Sequence, residues 1–128
     1  MRSNETKALR SVCVVTKDVA RLRDFYEVVL GIGAEGDDTF AAIKTPGADL
    51  VLFARQDLGE MAPNLVSEAA ASHWFLEFEV HDVDAEYVKL LEQYVDIVKP
   101  PTTQPWGIRS VWFRDPEGNL VNFFASVN

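Results

Sequence analysis

The chain predicts an α+β fold built from two βαβββ modules. Three observations carry that prediction. Two amphipathic helical stretches each follow a short strand pattern and an Asp suited to capping them. The pentapeptides Val15-Thr16-Lys17-Asp18-Val19 and Glu79-Val80-His81-Asp82-Val83 stand 64 residues apart at these two strand–helix junctions. About three strand candidates then follow each helix, so the order of element types repeats although few identities align. With 128 residues the chain is expected to form one domain. Its first module spans 9–55, a linker 56–72 and the second module 73–126.

In the first module, residues 9–16 alternate as a strand. Val12, Val14 and Thr16 face one side, and Ser11, Cys13 and Val15 the other. Asp18 is the N-cap of a helix over about 18–30. Its apolar stripe is Val19, Leu22, Phe25, Tyr26, Val29 and Leu30, and Gly31 stands where a left-handed C-cap belongs. Short strands are expected near 33–36, over 39–44 and over 49–54, with Pro46-Gly47 turning the last two. Residues 56–72 have no clean strand pattern and read as linker with room for a short helical turn.

In the second module, Trp74, Leu76, Phe78 and Val80 alternate with His73, Phe75, Glu77, Glu79 and His81, which makes 73–81 a half-buried strand. Asp82 caps a helix over about 83–94, with Val83, Tyr87, Leu90, Leu91 and Tyr94 turned inward. Ile97-Val98 is a short strand. Residues 99–107 hold Pro100, Pro101 and Pro105 and are read as loop. Residues 105–124 form a hairpin around Asp115-Pro116-Glu117-Gly118, which suits a type I turn: Asp accepts local hydrogen bonds, Pro presets φ and Gly closes the turn.

Composition excludes several classes. The net charge is −8, which disfavours a nucleic-acid partner because phosphate binding needs clustered Lys and Arg. The acidity is uneven: residues 65–128 carry 4 basic and 10 acidic side chains, against 8 and 10 in residues 1–64. A solvated acidic face is the simple explanation. Cys13 is the single cysteine, so no intrachain disulfide forms and a cytoplasmic location is expected. No apolar run approaches the ~20 residues of a membrane helix, and residues 1–10 do not read as a signal peptide.

The architecture, the helix DVARLRDFYEVVLG at 18–31 and the Pro-Trp-Gly and Asp-Pro-Glu-Gly-Asn segments together resemble the vicinal oxygen chelate superfamily. That superfamily includes glyoxalase I, bleomycin resistance proteins, fosfomycin-modifying thiol transferases and extradiol dioxygenases. The resemblance covers about residues 9–126. It implies paired modules whose curved mixed sheets surround a cleft, commonly in a homodimer. Relatives often place Gly after the second helix, where this chain has Tyr94. A positive φ there would strain the backbone by ~1 kcal/mol or more.

Enzymes of the superfamily hold a divalent metal with His, Gln or Glu on the inner strand faces, as a Lewis acid. By that resemblance the first-strand ligand lies seven residues before the capping Asp, at Ser11. The ligand in the first module's last strand falls near Leu52, and that of the final strand at Asn122, four after Gly118. None of these three is a good ligand type. Phe75 lies seven residues before Asp82; His73, nine before, is the one live metal candidate, with Glu77 and less favourably Glu79 on the same face. A catalytic divalent ion usually needs three protein ligands, so no metal or other cofactor is expected.

The inner face would then present Ser11, Cys13, Leu50, Leu52, His73, Phe75, Glu77, Leu120, Asn122 and Phe124, an apolar cleft with a few polar groups. Trp106 stands in the proline-rich loop at its mouth, able to stack on a planar ligand. Trp74 is core, Trp112 is read first as packing, and Asn122 is expected to bond across the sheet. Glu77, a mid-strand carboxylate, needs solvent, a partner or a proton, and could meet a cationic group. The expected function is small-molecule binding of the bleomycin resistance kind, sequestering a drug or metabolite without metal. Ser11, Leu52, His73, Phe75, Glu77, Trp106, Asn122 and Phe124 are its candidate contacts. The alternative is a metal-dependent lyase or isomerase, thiol transferase or dioxygenase using Mn, Fe, Ni or Zn. A domain that only dimerises or serves as a subunit is the third reading.

Overall fold

A computed structural model describes residue 6 and residues 8–57 and 75–127. The chain divides into two compact units, Met1–Glu68 and Ala69–Asn128. The first holds β1 (Ser11–Thr16), α1 (Val19–Leu30), β2 (Glu35–Gly36), β3 (Phe40–Ile43) and β4 (Asp49–Ala54). The second holds β5 (Leu76–Glu79), α2 (Val83–Glu92), β6 (Asp96–Thr103), β7 (Ile108–Arg114) and β8 (Leu120–Ser126). The fold is α+β, with two four-stranded mixed sheets in the orders β1-β4-β3-β2 and β5-β8-β7-β6. These orders are the same permutation, as the repeated element pattern requires. In each sheet the first strand pairs in parallel with the last, and the remaining pairs are antiparallel.

The two helices begin alike because the two Asp residues do the same work. Asp18 accepts from the Arg21 N–H and Asp82 from the Ala85 N–H, each at 3.1 Å, satisfying donors that the first turn leaves open. Val19, Leu22, Tyr26 and Val29 of α1 are buried, and the core side of the first sheet supplies Val14, Ala41, Ile43, Leu50 and Leu52. In the second unit Val83 and Leu90 of α2 are buried, as are Leu76, Val111, Phe113, Val121 and Phe123 on one face of the sheet. Phe113 and Phe123 meet edge to face at 4.9 Å. A fully buried side chain of this size contributes about 1.5–3 kcal/mol.

Several expectations are corrected. The strand expected over 73–81 is Leu76–Glu79 among the described residues; His73 and Trp74 lie outside them. The stretch read as linker lies outside the described residues apart from 56 and 57, and their helical turn together with 55 agrees with that reading. The strand read as Ile97-Val98 runs on through both prolines to Thr103. It is an edge strand paired only with β7, and its register shifts on either side of Lys99, so Pro100 and Pro101 stand where the ladder lacks partners and their missing N–H costs no bond. The inward stripe of α2 is narrower than expected: Leu91 and Tyr94 are exposed. Tyr94 has φ 56°. The Val95 N–H donates to the Leu90 carbonyl and the Tyr94 N–H to the Leu91 carbonyl, the paired closure of a Schellman motif with Tyr in the glycine position.

Gly36 is required sterically at the β2–β3 turn. Its φ is 112°, and a Cβ there would stand 2.1 Å from the Phe40 carbonyl oxygen. Among the described residues no helix is long and apolar enough to cross a membrane.

Candidate functional site

The chemistry-bearing groups of the second unit gather on the sheet face opposite α2. Register fixes this. Glu77 on β5 pairs with Asn122 on β8, Asn122 with Trp112 on β7, and Trp112 with Lys99 on β6. Paired positions share a face, so the four side chains form one row across the sheet. The helix side is marked by Arg109, whose guanidinium bonds both carboxylate oxygens of Asp84 on α2 at 2.8 and 2.7 Å and also reaches the Thr103 hydroxyl. Those hydrogen bonds hold the Asp84 carboxyl below its ordinary value. Arg109 and Trp112 therefore serve opposite faces.

Within the row, the Asn122 Nδ2 donates to Glu77 Oε2 at 2.9 Å. A carboxylate only accepts, so the amide must turn its nitrogen towards Glu77 and its oxygen away. Asn122 is only 3 % exposed, and its Oδ1 is buried with no hydrogen-bond partner among the described residues. An unmet buried acceptor costs about 1–3 kcal/mol. Beside it, Phe75 packs edge-on against Trp112, ring centroids 4.8 Å apart. Phe75 is 44 % exposed and Trp112 half-buried. Phe124 and Leu120 lie on the same face, half-buried. The expected bond of Asn122 across the sheet is present, and its partner is the carboxylate that the sequence had marked as needing one.

Trp106 is 72 % exposed in the tight β6–β7 turn, where the Gly107 N–H donates to the Gln104 carbonyl. His73 lies outside the described residues.

In the first unit, Ser11, Cys13 and Val15 share a face with Asp49, Val51 and Phe53. Leu52 does not. It pairs with Val14 on the α1 side and is fully buried, and Leu50 pairs with Val12 on that same side. Leu50-Val51-Leu52 is a continuous apolar run, and such a run hides the alternation from which facing is read. The residues that sequence reasoning missed there are Asp49, Val51 and Phe53. The pairing of β1 with β4 reveals them; no local pattern does. Ser11 lines a cavity of about 420 Å³ together with Glu35, Phe40, Lys44, Asp49 and Val51. Lys44 pairs with Asp49 at 3.6 Å, and the Ser11 hydroxyl lies 4.0 Å from the exposed Cys13 sulfur.

Among the described residues the donor sets do not fit a catalytic divalent metal. Among the described residues no group of three or more His, Cys, Asp or Glu side chains stands together. On the second sheet the position where the resemblance would put a ligand holds a carboxamide whose nitrogen bonds the neighbouring carboxylate. On the first, Leu52 faces the core and Ser11 offers a neutral hydroxyl.

A family model described as the Glyoxalase/Bleomycin resistance protein/Dioxygenase superfamily matches residues 8–123, and the chain belongs to this superfamily. It is 29 % identical over 124 residues to the uncharacterized protein YraH of Bacillus subtilis, covering 91 % of this chain and 96 % of that protein. It is 31 % identical over 108 residues to the anthracycline biosynthesis protein DnrV of Streptomyces peucetius, covering 82 % of this chain but only 36 % of the other. Among solved structures, a glyoxalase/bleomycin resistance protein/dioxygenase from Nocardioides superposes with a TM-score of 0.81 at 25 % identity, covering 98 % of this chain and 87 % of that one.

Proposed function

We propose that the protein binds a planar small molecule non-covalently, without a metal, on the face of the second sheet that carries Phe75, Glu77, Trp112, Asn122 and Phe124. The observation that carries this reading is the Glu77–Asn122 hydrogen bond beside the Phe75–Trp112 ring pair. One carboxylate and one carboxamide fall short of the three protein ligands a catalytic divalent ion usually takes, whereas an aromatic pair flanked by a few polar groups suits a flat apolar body. The similarity to a protein of anthracycline biosynthesis supports a polycyclic aromatic ligand class, although it spans about a third of that protein. Trp106, in the β6–β7 turn of the same unit, is a secondary contact in this reading. The reading includes a homodimer, the arrangement common in the superfamily, which sedimentation equilibrium would measure.

The test is a titration of the purified protein with an anthracycline aglycone, a planar polycyclic quinone, followed by tryptophan fluorescence. Saturable quenching in the micromolar range is expected, with most of the signal lost in Trp112→Phe. Metal analysis of protein prepared without chelators accompanies it. Near-stoichiometric Mn, Fe, Ni or Zn that disappears in His73→Ala would overturn the reading, as would the absence of any binding by planar polycycles.

A further inference from the structure

The row Glu77, Asn122, Trp112, Lys99 crosses all four strands of the second sheet on one face. Its ends carry opposite charge, and three inter-strand spacings set their backbones roughly 14 Å apart. We propose that this row is a directional recognition strip for an amphoteric planar ligand. The ligand's protonated amine lies at Glu77 and Asn122, its ring body lies against Phe75 and Trp112, and an anionic group lies towards Lys99. The proposal rests on the reading of this face as a planar-ligand site and adds the ligand's charge and orientation.

Three features carry it. At the Glu77 end both available groups are acceptors: the carboxylate, and Asn122 Oδ1, which the carboxylate itself orients away from β5 and leaves without a partner among the described residues. A primary ammonium has three donors and can bond both. At the other end, Lys99 is exposed on the edge strand and has no ion pair among the described residues. In the middle, Trp112 is the register neighbour of both Asn122 and Lys99. Oδ1 is buried, so a donor reaches it only when the side chains over it yield, and Trp112, its register neighbour on β7, serves as the reporter of that movement.

The test uses four anthraquinones that share one ring system. One carries an aminomethyl group at position 2 and a carboxylate at position 6; one carries the amine alone, one the carboxylate alone, and one has neutral hydroxymethyl groups at both positions. Affinities are measured by calorimetry at neutral pH on the wild type and on Glu77→Gln, Asn122→Leu and Lys99→Gln, each checked for folding by circular dichroism. The amine is expected to tighten binding about tenfold or more over the neutral compound, as a charge-assisted hydrogen bond would. Glu77→Gln should abolish that gain, read as the ratio of amine to neutral affinity within the same variant. Asn122→Leu should reduce it, and Lys99→Gln should remove only the smaller gain from the carboxylate. The amine compounds alone should shift the Trp112 emission maximum.

Equal binding of all four compounds, or charge preferences that survive Glu77→Gln and Lys99→Gln, would overturn the strip while leaving planar-ligand binding intact. Binding of none of them overturns both. Glu77→Gln and Lys99→Gln change exposed side chains, so the charge argument stands or falls even where Asn122→Leu does not fold.

Discussion

Tyr94 shows how much a single position can reveal. It is 95 % exposed and holds φ 56°, so it has the strain of a left-handed residue and little packing to offset it. Tyr94→Gly is expected to stabilise the fold by about 0.5–1 kcal/mol, because relief of the Cβ clash exceeds the added entropy of the unfolded chain. Urea unfolding would measure it, and a destabilised variant would mean that the exposed ring makes contacts of its own. Asn122 is the opposite case. Its side chain is buried and half-satisfied, and its role is set by the one atom that Glu77 leaves free.

At the scale of elements, the β7–β8 turn is organised by one carboxylate. Asp115 Oδ1 accepts from the N–H groups of Glu117 and Asn119, each at 2.9 Å, and Oδ2 accepts from the Asn119 amide at 2.8 Å. The Gly118 N–H closes the turn on the Asp115 carbonyl, with Gly118 at φ 85°. Asp115→Ala should cost about 2–3 kcal/mol, since these charge-assisted bonds lie at a buried position. Equilibrium denaturation would measure it, and amide exchange should quicken along β7 and β8 before β5. The edge strand β6 shows the reverse relation between residue and element. Two prolines argue locally against a strand, yet the ladder tolerates them because its outer side is unpaired and its register is bulged.

At the scale of the whole molecule, acid should weaken the fold through particular carboxyls. Asp84 is held low by its bonds to Arg109, and Asp37 by the Thr39 N–H and hydroxyl and the Phe40 N–H. A carboxyl lowered on folding contributes stability that is fully present well above its ordinary value of 3.8 and is lost as pH falls through the lower folded value. The unfolding free energy should therefore drop below about pH 4. In Asp84→Asn that drop should be shallower, and the loss should appear at neutral pH instead. An identical pH profile in the variant would show that the Arg109–Asp84 pair adds nothing to the fold. Asp84 is exposed and Arg109 only half-buried, so added salt should shrink the difference.

The sequence alone determined the repeated order of elements, the two Asp-capped helices, the hairpin around Asp115 and the face shared by Phe75, Glu77, Asn122 and Phe124. Each of these rests on a local signal: periodicity of 3.6 or 2, a capping side chain, or a turn with fixed chemistry. Tertiary structure decided what depends on pairing between distant strands. It moved Leu52 to the core side and brought Asp49, Val51 and Phe53 to the face of Ser11, because an unbroken apolar run has no parity of its own. It carried β6 through Pro100 and Pro101, because an edge needs hydrogen bonds on one side only. It also joined Glu77 to Asn122 across 45 residues and aligned both with Trp112 and Lys99, since register between strands is set by the packing of the whole sheet.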